Sequence, residues 1–206
     1  MIKKKFFLFS IQVFFLFSCR TTQNLQKQKS DFYSVTREKS YTLVRIDLSA
    51  PGLLIFTNFS SSKPKKAQIL INTTPFLKKG ELTGLAVTEK KLISPPLSDY
   101  CTLCLFKDSA GWKGEIIDSQ DEIEKIRQEK GDYPEIAAGG FWTILRDGEI
   151  FQFKDYKNYR IGAGLSDGGK CLYLLCAKNK NYMECAEILK ESGAESAMQF
   201  DGGRSA

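Results

Sequence analysis

From position 41 onward the apolar residues come in short runs separated by turn-forming residues. The runs occupy 41–47, 52–57, 67–71, 83–88, 99–106, 141–146, 149–153 and 171–177. Pro51-Gly52, Lys79-Gly80, Pro95-Pro96, Asp147-Gly148 and Gly168-Gly169 stand between them. Runs of this length bounded by Gly, Pro and Asp predict strands. Two stretches have helix signals instead. Ser119-Gln-Asp-Glu122 has the spacing of a capping box and Gly131 ends its segment; Asn181-Tyr-Met-Glu184 and Gly193 repeat the arrangement. In the second, Tyr182, Cys185, Ala186 and Leu189 share one helical face. The pattern predicts an α+β fold, a mixed β-sheet domain with a few helices, over 41–206. Its last unit reads as strand 171–177, helix 182–192 and short strand 197–200, a final right-handed β-α-β crossover if the strands are parallel neighbours. Asp201-Gly202-Gly203 then follows a strand's carboxyl end, where ligands of such sheets collect.

The region before 41 has a different character. Lys3, Lys4 and Lys5 precede an apolar run from Phe6 to Phe17. This is the charged and apolar layout of an export signal, and the run is about half of the ~20 residues that span a bilayer as a helix. Leu16-Phe17-Ser18-Cys19 matches a bacterial lipobox. Residues 1–18 are therefore expected to be a cleaved lipoprotein signal peptide, with Cys19 as the lipidated first residue. The expected location is outside the cytoplasm on a bacterial membrane, held by an N-terminal lipid. Residues 19–40, polar and poor in apolar positions, are expected to form a flexible tether.

The formal charge of +6 includes the three signal lysines, so 30 − 3 basic against 24 acidic residues leaves +3. That small excess predicts no nucleic-acid partner. Cys101 and Cys104 form a C-x-x-C within an apolar run. With no further pair at zinc-ligand spacing they read as buried structural thiols. The chain contains no histidine. Serine or cysteine mechanisms that need an imidazole base are excluded, and proton transfer falls to carboxylates, lysine, tyrosine or cysteine.

Several residues remain as candidates for chemistry. Asp201 stands beside two glycines able to adopt positive φ, either as an ordinary turn or as a ligand cradle. Arg160 can pair a phosphate bidentately or a surface carboxylate. Asn72 ends an apolar run, as a strand-end cap or a polar ligand contact. Gly139, Gly140 and Gly164 can serve turns, close packing or close ligand approach. Glu184 can be a second reactive carboxylate, but its place three residues after Asn181 favours capping.

In order along the chain, Ile71-Asn72-Thr-Thr-Pro-Phe76, Ala138-Gly-Gly-Phe-Trp142, Arg160-Ile-Gly-Ala-Gly164, Glu184-Cys-Ala-Glu187 with Gly193-Ala194, and Ala197-Met-Gln-Phe-Asp201-Gly-Gly203 resemble the phosphodiester glycosidase family. The resemblance implies a hydrolase that cleaves a sugar from a phosphodiester attached at its anomeric oxygen. It implies Asp201, Arg160 and Glu184 as catalytic candidates, and Asn72, Gly139, Gly140, Gly164, Gly202 and Gly203 as substrate contacts. The implied partner is a sugar phosphodiester or glycan. No metal ligand set emerges; the need for a divalent cation such as calcium stays open, with Asp201, Asp47 and Asp167 as the carboxylates to consider. The alternative is a non-catalytic envelope lipoprotein that binds glycans or phosphoglycans. The family pattern continues Asp-Gly-Gly with a further glycine and then more strands. Here Arg204-Ser205-Ala206 follows, so a shortened C-terminus and impaired catalysis are expected.

Overall fold

The computed structural model describes residues 28–29, 32–58, 68–77 and 81–203. Thirteen strands in two sheets and two α-helices make up the regular structure among them. The larger sheet contains β1 (Gln28–Lys29), β2 (Tyr33–Arg37), β3 (Tyr41–Asp47), β9 (Thr143–Arg146), β10 (Glu149–Ile150), β11 (Asn158–Ser166), β12 (Cys171–Lys180) and β13 (Ser196–Gln199). Its order is β1-β2-β3-β12-β11-β13-β9-β10. The smaller sheet holds β4 (Ala86–Thr88), β5 (Lys91–Ser94), β6 (Thr102–Asp108), β7 (Gly111–Ile117) and β8 (Ile136–Gly139), in the order β5-β4-β8-β6-β7. The helices are α1 (Ile123–Lys130) and α2 (Tyr182–Glu191).

Alternation along the strands creates the layers. In β12, Leu172 and Leu174 enter the core between the sheets, while Cys171, Tyr173, Leu175 and Ala177 pack toward α2. Successive side chains of a strand point to opposite faces, so a strand covered on both sides reads as one apolar run. The inter-sheet core joins Val44, Ile46, Ile161, Leu165 and Met198 to Leu103, Leu105, Ile116 and Ile136 of the smaller sheet. Ile123 and Ile126 of α1 cover the smaller sheet's other face with Leu85, Val87, Cys104 and Ala137. The result is a helix, sheet, sheet, helix stack. C-x-x-C follows the same rule: Cys101 enters the inter-sheet core and Cys104 the α1 side, both buried.

Several expectations require correction. Every strand pair in both sheets is antiparallel, so the sheets are not mixed and the fold is mainly β. In the last unit β12 and β13 run parallel, since each pairs antiparallel with β11, but β11 lies between them. The crossover through α2 therefore skips one strand. The polar segment 19–40 is not tether throughout: β2 pairs with β3 from Tyr33↔Ile46 to Arg37↔Thr42, and Val35 is buried. Run 52–57 alternates without forming a strand. Leu53 and Ile55 pack on the inter-sheet core while Leu54 and Phe56 are exposed.

Both helix ends behave as their residues dictate. Asn181 accepts from the Glu184 backbone N–H at 2.8 Å, and the Glu184 carboxylate accepts from the Asn181 N–H at 2.9 Å. That completes the reciprocal box. Ser119 instead caps a short 3-10 turn over Gln120–Glu122 that leads into α1, and Gly131 ends α1 in the left-handed region at φ 77°. No helix among the described residues is long and apolar enough to cross a membrane.

Candidate functional site

β13 ends at Gln199, and the chain then turns at Phe200 and Asp201. Phe200 is buried, and its N–H donates to the Ile161 carbonyl of β11 at 2.8 Å. The Asp201 N–H donates to the Thr73 carbonyl at 3.1 Å. This backbone bond fastens the C-terminal turn to the segment 71–74. There the fully buried Asn72 directs Nδ2 at Asp201 Oδ2, 3.4 Å away. Asn72 Oδ1 is buried and has no hydrogen-bond partner among the described residues. A buried acceptor of this kind calls for a donor.

Gly202 lies against the other side of this corner. A Cβ there would fall 2.7 Å from the Tyr159 carbonyl oxygen and 3.3 Å from Arg160 Cα, so only glycine lets the strand end approach β11. Gly203 has φ 67°, with the Asn158 side-chain amide near it. The pairing of β11 with β12 shifts register between Asn158 and Arg160. Bulges of this kind re-aim side chains next to functional sites. Asn158 is the member of this corner that sequence reasoning missed; a bulge leaves no mark in an apolar pattern.

Arg160 shares the corner by its backbone, but its guanidinium is engaged elsewhere. Nη2 donates to Asp155 Oδ2 at 2.9 Å and to the Tyr156 carbonyl at 2.7 Å. The group stacks on the Tyr182 ring at 4.1 Å, and the two ion-pair side chains are 9% and 11% exposed. Asp155 Oδ2 also accepts from the Tyr182 N–H at the start of α2, 3.0 Å away. Asp155 and Tyr182 were not anticipated. Burial raises the Tyr182 phenol above its ordinary value, with Arg160 opposing, so the ring stays neutral beneath the guanidinium. Of the two partners considered for Arg160, the structure shows a carboxylate, and the pair is buried under α2.

Glu184 is held in structural contacts, as the capping reading expects. Besides its capping role, its Oε1 accepts from Lys157 at 3.0 Å and Lys180 at 3.2 Å. Burial opposes its ionised form, yet the Asn181 N–H and the two lysines win, holding the carboxyl down to about 2. An acid of that strength is ionised across the physiological range and has no proton to give.

Three glycines expected to contact substrate have packing roles. A Cβ at Gly139 would lie 2.7 Å from Gln120 Nε2, and one at Gly140 2.4 Å from the Gln199 carbonyl oxygen. Gln120 is the reason for the first. It is buried, accepts from the Leu85 and Leu97 N–H groups, and donates to the Cys101 carbonyl, pinning three loops together. A Cβ at Gly164 would meet Ala194 Cβ at 2.8 Å beneath the end of α2. The carboxylates considered for calcium are not gathered: no cluster of three His, Cys, Asp or Glu exists among the described residues. Cys19 and Arg204 lie outside the described residues.

An apolar cavity of about 390 Å³ opens between the sheets, lined by Ile46, Leu103, Leu174, Ile69 and Ile71 and reaching Thr73 and Phe200 beside the Asp201 corner.

The structure thus sets an Asn–Asp pair and two glycines at one strand end of a two-sheet β domain. The phosphodiester glycosidase family model matches residues 65–206, and the chain belongs to that family. Among solved structures, the fold is similar to the catalytic domain of zebrafish N-acetylglucosamine-1-phosphodiester alpha-N-acetylglucosaminidase, auto-inhibited by its pro-peptide. That match has a TM-score of 0.51 and 19% identity, over 64% of this chain and 50% of that one. It is also similar to a hypothetical protein from Synechocystis, at a TM-score of 0.53 and 12% identity, over 86% of this chain and 55% of that one. The chain thus spans about half the length of these two structures. No curated protein matches it.

Proposed function

We propose that this protein hydrolyses the bond between a sugar's anomeric carbon and the bridging oxygen of a phosphodiester. The reading rests on family membership and on one observation: Asn72 and Asp201, 129 positions apart, meet at the same strand end. Water adds to the anomeric carbon, and the bond from that carbon to the bridging oxygen breaks. The oxygen leaves with the bonding pair as part of the phosphate monoester, and the proton lost from water passes to Asp201 or to the departing monoester. Asp201 is the carboxylate for this step, as base, nucleophile or partner of the developing oxocarbenium charge. Asn72, buried behind it, orients it through the Nδ2 contact. The backbone N–H groups of Gly202 and Gly203 face the phosphate oxygens. A phosphate monoester departs as a stable anion and needs little protonation. One carboxylate is then enough, in keeping with a Glu184 engaged at the α2 cap.

The test is an assay on a soluble sugar-1-phosphodiester. Reducing sugar and phosphate monoester should appear in equal amounts, and Asp201→Asn should lower turnover by about 10²-fold or more. Absence of release by the native chain, or equal release by the variant, rejects the hydrolase. A second reading, a non-catalytic glycan-binding lipoprotein, is favoured by the engagement of both Arg160 and Glu184 in structural contacts. It requires ligand binding without release in the same assay.

We further propose that the domain works outside the cytoplasm, anchored to a membrane through lipid on Cys19. Support comes from the apolar run Phe6–Phe17 and the lipobox before Cys19. Fractionation tests it: the native chain should sediment with membranes and Cys19→Ala should not.

A further inference from the structure

On the larger sheet, beside the strand that leads to Asp201, lies an open hollow of about 280 Å³. Its walls are Trp142, Phe151 and Phe153, with Phe141 and Thr143, and its rim carries Asp99 and Asp118. We propose that this hollow is a stacking subsite for a neutral pyranose of an oligosaccharide. The proposal rests on the hydrolase reading for its place in the substrate, as the site for sugar units beyond the cleaved bond.

The aromatic surfaces are exposed and held in place. Trp142 is 38% and Phe151 46% exposed, and both open into the same hollow. Tyr100 packs on Trp142 at 5.1 Å and edge-on to Phe141 at 5.6 Å. Phe153 is fixed edge-on to Tyr182 at 5.5 Å. An aromatic ring offers a flat apolar face, and a pyranose offers a face of C–H groups to lie on it. One rim carboxylate is fixed as well. Asp118 Oδ1 accepts from Thr143 Oγ1 at 2.6 Å and from Arg146. A carboxylate held in one orientation is an acceptor for ring hydroxyls. Binding sites combine apolar walls with a few placed polar groups in this way.

Charge and shape narrow the occupant. Carboxylates at the rim disfavour an anion. Arg146 offsets the Asp118 charge, and the hollow is a shelf open to solvent rather than a box of rings, which disfavours a quaternary ammonium ion. Continuity favours a glycan. Phe141 N–H donates to the Gln199 carbonyl and Gln199 N–H to the Trp142 carbonyl, at 2.8 and 2.9 Å, two residues before Asp201.

The two tryptophans make the test direct, because Trp112 is buried and Trp142 is exposed. Purified full chain, native and Asp201→Asn, is titrated with cellohexaose, maltohexaose and N-acetylchitohexaose. At least one should shift Trp142 emission, and calorimetry should show a tenfold or greater loss of affinity in Phe151→Ala and in Trp142→Ala. Trp142→Tyr should recover part of it. Phe151 is exposed enough that its variant folds. No binding at millimolar concentration, binding unaffected by both alanine variants, or preference for choline over every hexasaccharide would overturn the subsite. Glycan binding without sugar release keeps the subsite and rejects the hydrolase; release without glycan binding does the reverse.

Discussion

Arg160 and Asp155 form an ion pair of 2.9 Å whose side chains are both about nine-tenths buried, and the same Asp155 oxygen holds the first N–H of α2. The pair joins the β11 bulge to the helix on the far face of the sheet. Removing one member of a buried pair leaves the other charge uncompensated, which costs about 3–5 kcal/mol. Asp155→Ala is therefore expected to lose stability in that range by urea unfolding. Arg160→Ala should lose a similar amount, and the double variant less than the sum of the two. Additive losses would show that the pair is not the unit described.

Glu184 gives a pH-dependent prediction. Its folded value, about 2, lies below the ordinary 4.5 of a free glutamate. A carboxylate depressed on folding contributes stability above its unfolded pKa, and that contribution is lost as pH falls through the folded pKa. The native chain should accordingly lose its advantage over Glu184→Gln between about 4.5 and about 2. Above that window the stability difference should be constant. Unfolding curves measured across it give the answer, and a difference that grows on acidification would reverse the assignment.

Burial predicts inert thiols. It raises Cys101 and Cys185 to about 12 and Cys104 higher still, while Cys176 is less covered and raised by burial alone. Thiolate is the reactive form. In the folded state a thiol reagent should modify Cys176 ahead of Cys101, Cys104 and Cys185, and unfolding should expose all of them. Early labelling of Cys101 or Cys104, located by peptide mapping, would contradict the burial described.

What the sequence made legible follows from how each signal is carried. Capping is local, so the Asn181–Glu184 box and the Gly131 stop were readable within a few residues. β3 and β12 have apolar residues on both faces and stood out as runs. β8, Ile-Ala-Ala-Gly, and β11, Asn-Tyr-Arg-Ile-Gly-Ala-Gly-Leu-Ser, did not, because close packing there calls for small residues in place of large ones. Gly162 sits beneath Leu189 and Gly164 beneath Ala194, so what looked like flexible or ligand-binding glycine is the seat of α2. Run 52–57 shows the reverse: alternation identifies an inward face but not a pairing partner, which is a long-range property. The Asp201–Asn72 meeting was suggested by resemblance, whereas the diversion of Arg160 to Asp155 depended on a bulge that no local pattern records.

The two classes of glycine can be separated by experiment. At Gly164 an added methyl meets the methyl of Ala194 at 2.8 Å, far from the Asp201 turn and under a helix that can tilt. Overpacking of this kind costs about 1–3 kcal/mol. Gly164→Ala should melt earlier while keeping its turnover per folded molecule. At Gly202 the methyl would meet backbone, the Tyr159 carbonyl at 2.7 Å, and the adjustment would fall on the turn that carries Asp201. Phe200, which anchors that turn in the core, precedes the contact, so the stability loss should be modest. Displacing a reactive group by about 1 Å can cost about 10²-fold in rate. Gly202→Ala should therefore lose sugar release by more than tenfold with a modest change in urea midpoint. Equal effects of the two substitutions on melting and on turnover would mean that the strand end has no special part in the chemistry.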